Sequence, residues 1–144
     1  MTTRTCKVGI HGRNHEDWHD LDFRVLLEAG AEVVKAMSQT RPHHFERIKR
    51  ENPNVEIITR LHGDGFGVNS HPSPDQFANQ MIPIMANLRP YCTKYQVHNE
   101  PNHVARYEGW GATDGDATDF NSWFLEVYRR LKDAHPWALS LIHI

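Results

Sequence analysis

At 144 residues the chain is of single-domain size and can bury one sizeable core. Sixteen Lys and Arg against eighteen Asp and Glu leave a formal net charge of -2, which argues against a basic nucleic-acid footprint and against a polybasic membrane surface. No apolar stretch approaches the roughly 18 residues that cross a bilayer, and the opening Met-Thr-Thr-Arg-Thr-Cys-Lys lacks the apolar centre of a signal peptide; the compartment is undeclared, with the cytoplasm as default.

In chain order, Lys7 to His11 reads as a short buried strand that Gly12-Arg13-Asn14 breaks into a polar loop. Asp20 or Asp22 can cap the helix that follows, whose Phe23, Leu26 and Leu27 share a face and which Gly30 ends. Glu32 to Met37 is the second strand, apolar enough to be covered on both faces. Thr40 and Pro42 open a helix through Phe45, Ile48 and Lys49, and Asn52-Pro53 closes it.

The third strand, Val55 to Leu61, is rich in β-branched residues and runs into His62-Gly63-Asp64-Gly65-Phe66-Gly67. Those glycines fit neither the Walker nor the dinucleotide spacing, so the segment reads as a substrate-side loop. Ser73-Pro74-Asp75-Gln76 is a strong helix start, with Phe77, Met81, Met85 and Leu88 as the apolar face and Pro83 expected to kink it. Lys94 to Val97 is the fourth strand, residues 101–118 a long loop, and Asp119 to Ala134 a fourth helix with Phe120, Trp123, Phe124, Val127 and Leu131 buried. The order β-α-β-α-β-α-β-α predicts a parallel sheet whose richest loops follow the strands.

Eleven histidines are the compositional oddity, several of them at strand ends or in the loops after them. His11, His15 and His19, with His98, would be the ligands of a metal-dependent barrel hydrolase, but Gly12 and Arg13-Asn14 argue against the helix that a spacing of four needs. Neither metal nor other cofactor is therefore expected. Cys6 and Cys92 lack metal-ligand spacing and read as free thiols in or near the core. Trp18, Trp123 and Trp137 are assigned to packing; Trp110, in Glu108-Gly109-Trp110-Gly111, is either a platform for a sugar ring or a pin for its own loop.

The most chemically loaded stretch is Tyr95-Gln96-Val97-His98-Asn99-Glu100-Pro101. A β-prone run leads into a carboxylate flanked by amides and imidazoles, and Pro101 stops further pairing. Glu100 then lies at the C-terminal edge of the sheet, where a carboxylate among hydrogen-bonding neighbours is a candidate general acid or base. His98, two residues back on the same strand face, is placed to modulate it.

His98-Asn99-Glu100-Pro101, after three βα units whose first strand ends His11-Gly12-Arg13-Asn14, resembles the N-terminal half of a clan A glycoside hydrolase, the retaining (β/α)8-barrel glycosidases. The resemblance covers residues 6 to 136 in the order of elements, and Asn99-Glu100-Pro101 is its specific part. It implies an α/β fold, the parallel (β/α)4 half of a TIM barrel in one partial domain, since a whole barrel takes about 250 residues. It implies Glu100 as acid/base and Asn99 as ligand of the sugar 2-hydroxyl, with an oligosaccharide or polysaccharide as substrate. Arg13, His11, His62, His98 and Trp110 are expected to shape the subsites, Arg13 alternatively being a salt-bridge partner of the first helix. The family's nucleophile, a second Glu ending strand seven, has no counterpart here. Asp17 and Asp64 are the loop carboxylates left to approach the site, and the chain alone is expected to be inactive.

After Pro136 only Trp137 to Ile144 remains, where a fifth strand would begin. The chain is expected to be cut before or within that strand, with residues 139–144 open to a non-native origin. Half a barrel would leave strands one and four with unpaired edges, so self-association is expected. The alternative to hydrolysis is a carbohydrate-binding α/β module without chemistry.

Overall fold

The computed structural model describes residues 7–68, 70–101, 109–111 and 113–142. Its elements run β1 (Gly9–His11), α1 (Asp20–Glu28), β2 (Val33–Met37), α2 (Pro42–Glu51), β3 (Glu56–Leu61), α3 (Pro74–Leu88), β4 (Lys94–Val97), α4 (Asp114–Ala134) and β5 (Leu139–Ile142). All strand pairs are parallel, and the sheet order is β1-β2-β3-β4-β5.

That order never reverses. An open doubly wound sheet reverses at a switch point and so places helices on both faces. Sequential parallel strands joined by connections of the usual right hand put every helix on the same face. Burial follows this rule. Val34 and Ala36 of β2, Ile57, Thr59 and Leu61 of β3, and Tyr95 and Val97 of β4 alternate onto one buried face. They join Phe23, Leu26, Phe45, Ile48, Phe77, Met81, Met85, Phe124, Val127 and Leu131 from the four helices in a single core.

The other sheet face carries the more polar set, Lys35, Met37, Glu56, Ile58, Arg60, Lys94 and Gln96, of which Met37 and Gln96 are buried. Lys35 stands half-buried in the centre of β2 on that side. The fourth strand is also not an edge: β5 pairs with it from Lys94↔Leu139 to Val97↔Ile142, and the terminal strands of the described sheet are β1 and β5.

Helix starts follow side-chain chemistry. Ser73 caps α3 as its sequence predicts, accepting from the Gln76 N–H at 3.2 Å while Gln76 Oε1 accepts from the Ser73 N–H at 2.9 Å. The helix runs through Pro83. At α4 the same device starts the helix at Asp114, five residues before the expected Asp119. Thr113 Oγ1 accepts from the Asp116 N–H at 3.2 Å and the Asp116 carboxylate from the Thr113 N–H at 3.0 Å. At α1 the cap position is His19, and Asp22 accepts from its N–H at 2.7 Å.

One close approach holds the β1 end in place. Gly12 N–H donates to the Lys35 carbonyl at 2.8 Å, and a Cβ there would run into the six-membered ring of buried Trp18. Only glycine lets the chain pass between β2 and that indole.

Candidate active site at the C-terminal strand edge

Parallel register stacks this second face in layers. His11, Lys35, Ile58, Lys94 and Leu139 lie side by side across the five strands; Met37, Arg60 and Gln96 form the layer above. Below them Glu56 accepts from Lys94 Nζ at 2.7 Å and from Lys7 Nζ at 2.8 Å, and those two ammonium groups hold its carboxyl below the usual range. Lys94 thereby shares one carboxylate with Lys7 at the floor of the face.

Lys35, by contrast, makes no ion pair among the described residues. Arg60 Nη2 reaches across β2 to His11 Nε2, 3.3 Å away. His11 Nδ1 lies 2.7 Å from the Gly12 carbonyl, which can only accept, so the ring proton sits on Nδ1 and Nε2 accepts from the guanidinium. Burial, and then the nearby Arg60 charge, lower the Lys35 ammonium pKa to about 8, while the Glu100 carboxylate works in the opposite direction. Glu100 therefore shares a field with Lys35.

Between β4 and Glu100 the chain makes a sharp turn. β4 ends at Val97, and His98 takes a left-handed backbone, φ 62°, which a side chain with a Cβ rarely adopts. Its N–H still donates to the Leu61 carbonyl at 3.0 Å, and its own carbonyl accepts from Gln96 Nε2 at 2.9 Å. The strained residue is held by its surroundings, and the turn sends Asn99, half-buried, and Glu100, exposed, over the strand ends.

The His98 ring goes the other way. It is 0 % exposed, lies against Phe66 with centroids 4.2 Å apart and stacks parallel to His62 at 6.0 Å. Trp110 and Trp123 meet it edge-on. His98 thus belongs to an aromatic floor under the edge, which corrects the expectation that it lies on one strand face with Glu100. His62 is half-buried on the rim of that floor. Its backbone N–H donates to Ser38 Oγ and its carbonyl accepts from the same hydroxyl, pinning the ends of β2 and β3 together.

Trp110 is 3 % exposed. His71 stacks on it at 4.1 Å, Phe120 and Trp123 meet it edge-on, and its Nε1–H donates to Asp119 Oδ2 at 2.7 Å. Gly109, at φ 100°, lets the backbone press against Phe66 and His71, where a Cβ would stand 3.1 to 3.2 Å from their atoms. Of the two roles that the sequence left open, loop pin describes this ring, because no face of it is offered for stacking on a sugar.

Arg13 likewise takes the structural alternative. Its Nε and Nη2 donate to the two Asp22 oxygens at 3.1 and 3.2 Å, a bidentate pair on α1. Burial raises the Asp22 pKa, yet the His19 N–H and Arg13 outweigh it and leave the carboxyl below its usual range. Asp17 is engaged by Arg41 at 3.2 Å and by His44 at 3.4 Å. His15 accepts the Asp17 N–H, and His19 caps α1. Among the described residues no three His, Cys, Asp or Glu side chains are placed to hold a metal ion. The Cys92 thiol is buried beside Thr59 Oγ1, 3.1 Å away, and burial raises its pKa; Cys6 lies outside the described residues.

At the edge, the Glu100 carboxylate acts on Lys35, Arg60 is hydrogen-bonded to His11 beside it, and Asn99 is half-buried in the turn before Glu100. Sequence reasoning missed Lys35 and Arg60. Their signal was a cation in a largely apolar strand, Lys35 in Val-Val-Lys-Ala-Met and Arg60 in Glu-Ile-Ile-Thr-Arg-Leu, where Glu56 is the other charge. Compared with known proteins, the chain matches no family model and no curated relative.

Proposed function

We propose that the chain is the N-terminal half of a (β/α)8 glycoside hydrolase of clan A type, which cleaves O-glycosidic bonds in an oligosaccharide or polysaccharide with retention. The observation that carries this reading is the position of Asn99-Glu100, directly after the fourth of five sequential parallel strands, on the edge where such sheets gather their chemistry. Helices confined to one sheet face leave the other face for a barrel interior.

The distribution of exposed apolar side chains supports the half-barrel. Val8 stands beside β1, Leu21, Val25 and Leu27 on α1, Leu125 and Tyr128 on α4, and Leu139 on β5; Val68, in a loop, is the one such residue elsewhere among those described. They cluster at the two ends of the row, where neighbouring βα units of a closed barrel would cover them.

In this reading Glu100 gives its proton to the leaving glycosidic oxygen and, as the carboxylate, later takes a proton from the water that releases the sugar. Asn99 holds the 2-hydroxyl. A second carboxyl group, roughly 5 to 5.5 Å from Glu100, attacks the anomeric carbon. Asp17 is held by Arg41 and His44 on the α2 side, and Asp64 is exposed on the loop that Gln80 of α3 fastens; in this reading the attacking group comes from a later strand and the 144 residues alone do not turn over.

The test is the reading frame past the codon for Ile144. Four further βα units with a Glu ending the seventh strand fit the proposal, and in the complete protein Glu100→Gln should then cut hydrolysis by about 10² to 10⁴ while sugar binding persists. A stop codon directly after Ile144 overturns the hydrolase, and the non-catalytic carbohydrate module takes its place.

A further inference from the structure

One ring nitrogen near the end of β1 faces a donor and an acceptor at once. His44, in the first turn of α2 and 7 % exposed, accepts the Trp18 N–H on Nε2 at 3.2 Å, and the same Nε2 stands 3.4 Å from Asp17 Oδ1. A bare imidazole nitrogen takes the N–H and repels the carboxylate. Once protonated it can only donate, which satisfies Asp17 and leaves the Trp18 N–H without its acceptor. The two partners are consecutive residues of one loop, so a single proton chooses between them.

Trp18 has little else that is polar to hold it. Its Nε1–H is buried with no hydrogen-bond partner among the described residues, and its ring is fixed by packing on Gly12 and, at 5.8 Å, on Phe23. Gly12 is in turn bonded to the Lys35 carbonyl, so the indole wedges the ends of β1 and β2. We propose that His44 is an acid-sensitive latch on the loop between β1 and α1: neutral, it fastens that loop through Trp18, and protonated, it passes its bond to Asp17 and frees the Trp18 backbone at the C-terminal edge of the sheet. The latch works whatever the edge binds.

The surroundings favour the neutral ring. Burial holds the imidazole below its ordinary range, the Asp17 carboxylate works against that, and His43 and Arg41 add to it. The first turn of a helix also disfavours a cation, because the macrodipole is positive there. Arg41 engages Asp17 at 3.2 Å and Glu16 at 3.6 Å, so the carboxylate already has a cation of its own. From α1 the ring meets uncharged Phe23, at 5.7 Å, and Asp20 of that helix is paired with Arg47. Within the loop His15 Nδ1 accepts the Asp17 N–H at 3.1 Å, a second imidazole that acid disturbs.

The experiment follows the 144-residue chain by imidazole and amide NMR from about pH 8 down to about pH 4. As the His44 ring charges, the hydrogen-exchange protection of the Trp18 amide, corrected for intrinsic rates, should fall at least about tenfold while amides in α3 keep theirs. His44→Gln, whose amide oxygen can accept the Trp18 N–H at every pH, should hold that protection throughout, and His15→Gln should leave the loss in place. The parent's own two titrations decide the matter should a variant fold poorly. Protection that survives the charging of His44, or is lost equally in His44→Gln, or is no longer lost in His15→Gln, would overturn the latch. So would a His44 ring that stays neutral until the α3 amides exchange as well.

Discussion

His71 lies flat on Trp110, ring centroids 4.1 Å apart at 17°, and both rings donate to the same oxygen of Asp119. The pair joins three segments that are distant in sequence: the loop after β3, the segment entering α4, and the first turns of α4. It is the clamp that closes the aromatic cluster around His98. Asp119→Ala leaves the buried indole N–H without its acceptor, a loss of about 1 to 3 kcal/mol. The urea midpoint of the variant should fall accordingly, and Trp fluorescence should report the loosened ring. An unchanged midpoint would mean that stacking alone holds the clamp.

Gly12 and Trp18 make the second prediction. A methyl group at Gly12 enters the space of the Trp18 ring and approaches the Lys35 carbonyl to 2.9 Å. Gly12→Ala should cost about 1 to 3 kcal/mol, as overpacking does in a filled core. Trp18→Phe takes away the ring atoms that stand in the way, so the double variant should lose less than the sum of the single ones. Chemical denaturation of the four proteins in this cycle measures the coupling, and strict additivity would place the clash elsewhere.

The elements were legible because their signals are local. Ser73 with Gln76 marks a helix start within four letters, and β-branched runs mark strands. The start of α4 was missed although Thr113 and Asp116 carry the same pattern, because Gly109, Gly111 and Gly115 made the segment read as loop. The edge residue Glu100 was legible from Pro101 and the strand before it. What was not legible depended on pairing. Whether Lys35 faces a helix or an open surface is decided by sheet order, and its meeting with Arg60 and His11 by register across three strands. The left-handed turn at His98 is likewise held by long-range contacts, its N–H on the Leu61 carbonyl and its ring among Phe66, Trp110 and Trp123.

Lys35 offers a test in which the sign is fixed by physics. Burial and Arg60 lower its ammonium pKa to about 8, against 10.5 without them. Between those two pH values the unfolded chain binds more protons at this site than the folded one, so its contribution to stability rises with pH across that window. Below pH 8 both states are protonated and the folded chain carries the full cost of a half-buried ammonium. Lys35→Met removes that cost. The variant should melt a few degrees above the parent at pH 6 to 7, and the gap should close as the pH is raised towards 10.5. The comparison has to be made between variant and parent, because the buried Tyr95 phenol has its pKa pushed up and so works against folding-state stability in the opposite sense at the alkaline end. Melting curves of the two proteins at matched pH values decide the matter. A gap that stays constant from pH 6 to 10.5 would show that Lys35 carries no strained charge.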